Sequence, residues 1–277
     1  MNILLLIIIS AAGVNSLLMP PSPGGVTTSF AMARDGEAIF YNPANFEAGE
    51  NFKLWCFYNR FYVSMNSVSM SLSKKIKSID VGLAIVNFDY GDIEWRPAYP
   101  TEDPLMDYSA HDLSIIVSGS AKISSQGRVG LNIKYIYENI YVYSDYTFAF
   151  DLSFSYTAQK FGLSFGTSDF GSKITLNNED VTLPARLNFG GFYTLKKIVG
   201  SFDVYYLVNQ DALEFGLGIY VPIHKRVALN TALNYRESLY PGFGLVINYG
   251  RFGIRYGGAF YPHGLGMINT IGIGLEF

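Results

Sequence analysis

The last ten residues of the chain, 268–277 (INTIGIGLEF), limit its fold more than any other stretch. Ile271, Ile273, Leu275 and Phe277 alternate with Thr270, Gly272, Gly274 and Glu276. In an extended strand these two sets point to opposite faces. One greasy face backed by one small or polar face is the pattern of a strand that crosses a bilayer in a closed barrel, with lipid outside and a lumen inside.

Composition agrees with that pattern. The 277 residues are 49% hydrophobic and 16% aromatic but only 16% charged, against roughly 25% charged in soluble domains. No run of about 18 apolar residues follows the amino terminus, so helical spans are excluded and the hydrophobicity is spread over alternate residues. A formal net charge of −3 argues against a nucleic-acid partner. Cys56 is the only cysteine, which excludes an intramolecular disulfide. Residues 4–13 (LLLIIISAAG) are too short to span a bilayer and match a signal-peptide core. We therefore expect a signal peptide over 1–16, cut after Ser16, and export to the bacterial outer membrane. The terminal Phe277 resembles the signal by which barrel-assembly machinery selects its clients, which adds that machinery and outer-membrane lipid as expected partners.

From residue 51 onward the chain reads as about fourteen period-2 segments separated by turn residues, so the expected fold is an all-β, about 14-stranded antiparallel transmembrane barrel over 51–277. Short basic connections alternate with longer aromatic or acidic ones, the longest being 90–111 and 170–184. A charge on the lipid face at mid-membrane costs about 2–4 kcal/mol. Lys134, Glu138, Asp151, Arg186, Asp203, Glu214, Arg255 and Glu276 are accordingly placed inside, as a polar network of the lumen. Trp95, Arg96, Tyr99 and Tyr108 fall in the 90–111 connection and are residue types that favour interface hot spots, so this loop is the candidate partner-binding surface.

Residues 17–50 are not strand-like. They hold Pro20, Pro21 and Pro23, then Gly24 and Gly25, and further on the run Ala38-Ile-Phe-Tyr-Asn42-Pro43-Ala44. Proline at 43 fixes its own backbone and pushes Asn42 extended, while the Asn side chain can bond nearby backbone groups. A segment of this length suits a hatch folded inside a barrel of fourteen strands. The Ala38–Ala44 run with its flanks resembles the amino-terminal signature of PorV/PorQ-type proteins of the FadL-like fatty-acid-transporter superfamily. The resemblance implies a fourteen-stranded outer-membrane barrel plugged by the Asn-Pro-Ala hatch, and a role in protein secretion with cargo or secretion-apparatus proteins as partners. The superfamily's other implication is uptake of a hydrophobic ligand such as a fatty acid. Fatty-acid transporters are much longer, with helical loops that form a capture groove, and this chain has only 90–111 and 170–184 in their place. A purely structural envelope barrel is the third possibility.

No enzyme is expected. His111, His224 and His263 are scattered and lack metal-ligand spacing. The nearest approach to a nucleophilic site, His111-Asp112 with Ser114, lacks a Gly-framed serine. No phosphate-cradling loop is present, so neither a cofactor nor a metal is implied.

Overall fold

Alternation of lipid-facing and lumen-facing residues forces extended structure, and the computed structural model describes it for residues 14–62, 64–97, 99, 102–261 and 266–277. Most of the expected signal peptide lies outside the described residues, as do His263 and most of the 262–266 connection. The first strands are β1 (Lys53–Arg60), β2 (Asn66–Ile76), β3 (Ile79–Trp95), β4 (Met106–Lys122), β5 (Gly127–Ile140), β6 (Tyr143–Thr157) and β7 (Phe161–Gly171). A small hairpin, β8 (Ile174–Leu176) and β9 (Glu179–Val181), stands apart. Then follow β10 (Arg186–Leu195), β11 (Ile198–Leu207), β12 (Ala212–His224), β13 (Val227–Arg236), β14 (Ser238–Tyr249), β15 (Phe252–Tyr261) and β16 (Gly266–Glu276).

Among the described residues, fourteen of these strands pair antiparallel into one closed barrel, sealed where β1 meets β16. Closure leaves no open edge, so every strand finds ladder partners on both sides. The outer surface carries Leu131 and Ile133, Phe148 through Phe154 at every second position, Leu217 and Ile219, and Ile271 and Ile273, all exposed. Such a continuous apolar belt faces lipid and would be an aggregation surface in water.

Two features depart from the sequence reading. The 90–111 segment is not one long loop, because β3 runs on to Trp95 and β4 begins at Met106. The two strands stay paired past a bulge between Asp89 and Asp92, where Gly91 takes a φ of +75°. The 170–184 segment likewise contains the β8–β9 hairpin.

The seam β1–β16–β15 explains the glycines of the carboxyl-terminal strand. Trp55 and Phe57 of β1 point inward and stack with ring centroids 5.7 Å apart. A Cβ on Gly272 would run into the Phe57 ring, and one on Gly253 or Gly274 into the Trp55 indole. Small residues on the inner face therefore make room for two aromatics that the apolar-out rule does not anticipate.

The segment before β1 has little regular structure: short 3₁₀ turns at Asn15–Leu18, Pro23–Val26, Asp35–Phe40 and Pro43–Asn45, and one helical turn at Ser29–Met32. It touches β1, β2, β5, β6, β10, β11, β14, β15 and β16, strands from all round the ring, so it lies within the lumen. Gly130 shows how close the approach is, since a Cβ there would strike the backbone of Pro43 and Ala44. Gly130→Val should overpack this contact and cost about 1–3 kcal/mol. A lowered denaturant midpoint in detergent checks this; an unchanged midpoint would mean that the segment does not press on β5.

Candidate functional site

The inward side chains of the barrel meet the amino-terminal segment in four charged or polar groups. In the first, Arg128 of β5 donates to Ala44 O at 3.0 Å, Phe46 O at 2.7 Å and Asp80 at 2.5 Å. It also donates to Glu47 at 3.1 Å and to Ser120 at 2.9 Å. Five acceptors on one guanidinium use nearly its whole donor fork. Sequence alone does not single out Arg128, because all its partners but Ser120 are brought to it by parts of the chain more than forty residues away.

Nearby, the Asn42-Pro43-Ala44 motif is held on every side. Asn42 caps its own turn by accepting from Ala44 N at 3.1 Å, and donates to Phe30 O at 2.9 Å. Ala44 N also donates to Ser153 Oγ at 2.8 Å, and Asn132 Nδ2 donates to Ile39 O at 2.8 Å. Ala38 is fully buried beside these turns.

The second group joins Arg255 of β15 to Glu37, with Asp35 at 3.5 Å. Lys53 bonds Asp35 at 3.1 Å, and the Arg255 guanidinium lies 4.3 Å from the Trp55 ring centroid. Glu37 also accepts from Ser22 Oγ at 2.5 Å and from Gly24 N at 2.6 Å. Burial, reinforced by Glu37, pushes the Tyr41 phenol up, so it stays protonated and donates to Ser22 O at 3.1 Å.

The third group is built from wall residues and meets the segment through Arg186, which donates to Leu17 O at 3.4 Å. Lys134 bonds Asp151 at 2.8 Å and Asp169 at 2.7 Å, and Arg186 reaches Asp169 at 3.0 Å. Two cations and two carboxylates make it neutral. In the fourth, Asp203 of β11 accepts from Phe30 N at 2.9 Å, Ala31 N at 2.8 Å and Tyr205 OH at 3.1 Å. It thereby caps the free N–H groups that open the turn Ser29–Met32.

The other sequence-selected residues fall elsewhere. Glu214 pairs with Arg236 toward the loop side of the lumen. Glu276 bonds Asn51 at the turn-side rim, at 3.1 Å, apart from the lumen groups. Glu138 is fully buried on β5. Phe277 is exposed, and its N–H donates to Phe52 O at 2.9 Å. Of the expected loop residues, Tyr108 is buried inside the barrel mouth, Trp95 ends β3, Arg96 pairs with Glu94 and Tyr99 is exposed. His111 lies on the opposite face of β4 from Asp112 and Ser114, so these three do not form a nucleophilic set.

The segment divides the lumen. On the loop side lies a cavity of about 120 Å³, walled by Val86, Phe88, Ile116, Tyr240 and Tyr261 and by the charged Lys134, Asp169, Arg186, Asp203, Glu214 and Arg236, and floored by Leu17 through Pro21 with Phe40 and Tyr41. On the turn side is a cavity of about 280 Å³, bounded by Phe192, Ile219 and Val246. Thr27 and Ser29 line both, so the partition is thinnest there.

No protein-family model and no curated protein matches this chain. Solved structures do. The Ralstonia pickettii toluene transporter TbuX superposes with a TM-score of 0.70 over 94% of this chain and 98% of its own, at 11% identity. The P. putida toluene transporter TodX gives 0.67 over 92% and 98%, at 9% identity. A Pseudomonas aeruginosa FadL homologue gives 0.64 over 92% and 98%, at 10% identity.

Lys134→Met should leave Asp151 and Asp169 buried without their shared cation, costing about 3–5 kcal/mol. Adding Asp151→Asn should recover part of the loss. Urea unfolding of the single and double variants reads both effects, and equal midpoints for Lys134→Met and the unaltered chain would contradict the coupling. At these identities the likeness establishes one thing: over 92–94% of its length the chain has the fold of these FadL-like barrels.

Proposed function

We propose that this protein is an outer-membrane channel of FadL-like type that admits a small hydrophobic molecule, with residues 17–50 acting as its hatch. One observation carries the reading: the loop-side cavity, floored by the amino-terminal segment, has an apolar side of Val86, Phe88, Ile116, Tyr240 and Tyr261 beside a polar side that includes Lys134, Asp169, Arg186 and Asp203. The apolar side gives a hydrophobic ring a surface to pack on, and the polar groups opposite fix its orientation. The cavity's size is that of a single aromatic ring, given that an apolar cavity of about 150 Å³ takes up benzene. The toluene transporters that share the fold support a ligand of this class. Burying such a ring releases roughly 25 cal/mol for each Å² of apolar surface removed from water.

Passage requires the partition to yield. Thr28 Oγ1 meets Ser201 Oγ at 2.5 Å and Ser29 Oγ meets Tyr205 OH at 3.2 Å, both of them neutral contacts. The neighbouring turn is tied by the Asp203 cap. A shift of residues 27–29 breaks neutral contacts alone, while the ion pairs of Arg128 and Arg255 keep the rest of the hatch in place. The hatch thus moves at its thinnest point.

The export-scaffold reading draws less support. Much of the 90–111 stretch is paired strand, leaving 96–105 as the connection between β3 and β4, and Tyr108, one of the four candidate contact residues, is buried.

Accumulation of radiolabelled toluene in bacteria that lack their own hydrocarbon channels tests the proposal. Expression of the protein should raise the uptake rate, and Val86→Trp, which fills the cavity, should bring it back toward the vector control. Uptake no faster than the control would sink the reading. Uptake unaffected by Val86→Trp would place the path elsewhere.

A further inference from the structure

Among the described residues, each buried carboxylate of the lumen is matched by a cation or, as Asp203 is, by a pair of backbone N–H groups, except in one place. Asp112 of β4 and Glu138 of β5 are register partners, 1% and 0% exposed. Among the described residues neither takes part in an ion pair. Asp112 accepts from Tyr90 OH at 2.8 Å and is bonded by the Ser16 side chain. Glu138 Oε1 accepts from Val14 N at 3.1 Å. Among the described residues Glu138 Oε2 and Asp112 Oδ1 have no hydrogen-bond partner. Two facing, buried carboxylates with two orphaned oxygens call for a cation with several donors.

The residue that reaches them is unusual in its own right. Val14 is fully buried against Tyr108, Ala110, Ile136 and Ile174. Its φ is +43°, a region that a β-branched residue avoids. It follows Ala11-Ala12-Gly13, which puts small residues at the two positions a signal peptidase reads.

We propose that the exported chain is cut between Gly13 and Val14, and that the new α-ammonium of Val14 is the cation of the Asp112–Glu138 pair. Hydrolysis of that peptide bond by a signal peptidase consumes one water and leaves a carboxylate on Gly13 and a protonated amine on Val14. The single N–H that now serves Glu138 Oε1 becomes three donors, enough to serve Glu138 Oε2 and Asp112 Oδ1 as well. An amino-terminal residue has no φ constraint, so the strained backbone at Val14 is relieved by the same cut. Cleavage after Ser16 would do the opposite. It would discard the buried Val14 side chain and the Ser16 contact, taking from Glu138 its Val14 donor and leaving Asp112 with Tyr90 OH alone. Because Val14 is enclosed once the barrel forms, the cut precedes folding into the outer membrane. The inference rests on export of the barrel and is independent of what the barrel carries.

Intact-mass measurement and terminal sequencing of protein purified from the outer membrane test the cut: the chain should begin at Val14, and any other first residue overturns the assignment. Reductive methylation tests the ammonium. In the folded barrel the Val14 amine should react at least roughly tenfold more slowly than in the urea-unfolded chain, because it is reached only through opening. Equal rates would remove it from the carboxylates. Glu138→Gln, and separately one alanine inserted after Val14, should each lower the temperature at which the barrel loses its folded mobility on a gel. If both variants melt with the unaltered protein, the pairing is wrong even where the cut is right.

Discussion

A chain buried without a regular hydrogen-bond ladder must find other partners for its backbone, and that requirement organises this lumen. The stretch from Val14 to Ala48 makes only short turns, so its carbonyls and amides depend on side chains that the strands send inward. Arg128 takes the carbonyls of Ala44 and Phe46, Asn132 that of Ile39, Asn234 that of Val26 and Asn59 that of Pro21. Asp203 takes the amides of Phe30 and Ala31, and Ser153 that of Ala44. The polar inner face is therefore fitted to one particular course of the segment. A hydrogen bond inside a low-dielectric lumen is worth little net when made and much when lost, which is why so many fixed partners specify a single path.

The charges follow the same logic. Lys134, Asp151, Asp169 and Arg186 neutralise one another, as do Arg255, Lys53, Glu37 and Asp35. The strong anchors sit at Arg128 and Arg255, near the turn end, whereas the contacts around Thr27 to Ser29 are hydroxyl pairs. This gradient gives a segment firmly seated at one end and loosely seated where the two cavities come nearest. The channel function we propose needs both properties, since a small apolar ligand requires only a local opening and ions must still be kept out.

The barrel was legible in the sequence because lipid imposes period 2 on every strand, and all fourteen predicted segments correspond to strands. Legibility failed where that pressure stops. Beyond the bilayer β3 and β4 continue as Gly91-Asp92-Ile93-Glu94 against Asp107-Tyr108-Ser109, with polar residues that read as loop. Inside, the rule that apolar residues face out hid Trp55 and Phe57, although the glycines at 253, 272 and 274 that accommodate them were in plain view. Lys134, Asp151 and Arg255 could be placed inward from periodicity alone. Their partners Asp169 and Glu37, and the central role of Arg128, could not, because these pairings join residues set by barrel closure and by the irregular path of the segment.

The central claim is that the amino-terminal segment closes the pore. Planar-bilayer recordings of the full barrel and of a variant lacking residues 17–50 test it most directly. The full protein should pass no steady ionic current, and the variant, once shown to be folded by its gel mobility, should give large stable conductance steps, since water can then solvate the freed Arg128, Asp203 and Arg255. A folded deletion variant as silent as the full protein would contradict the account and mean that wall side chains close the lumen themselves.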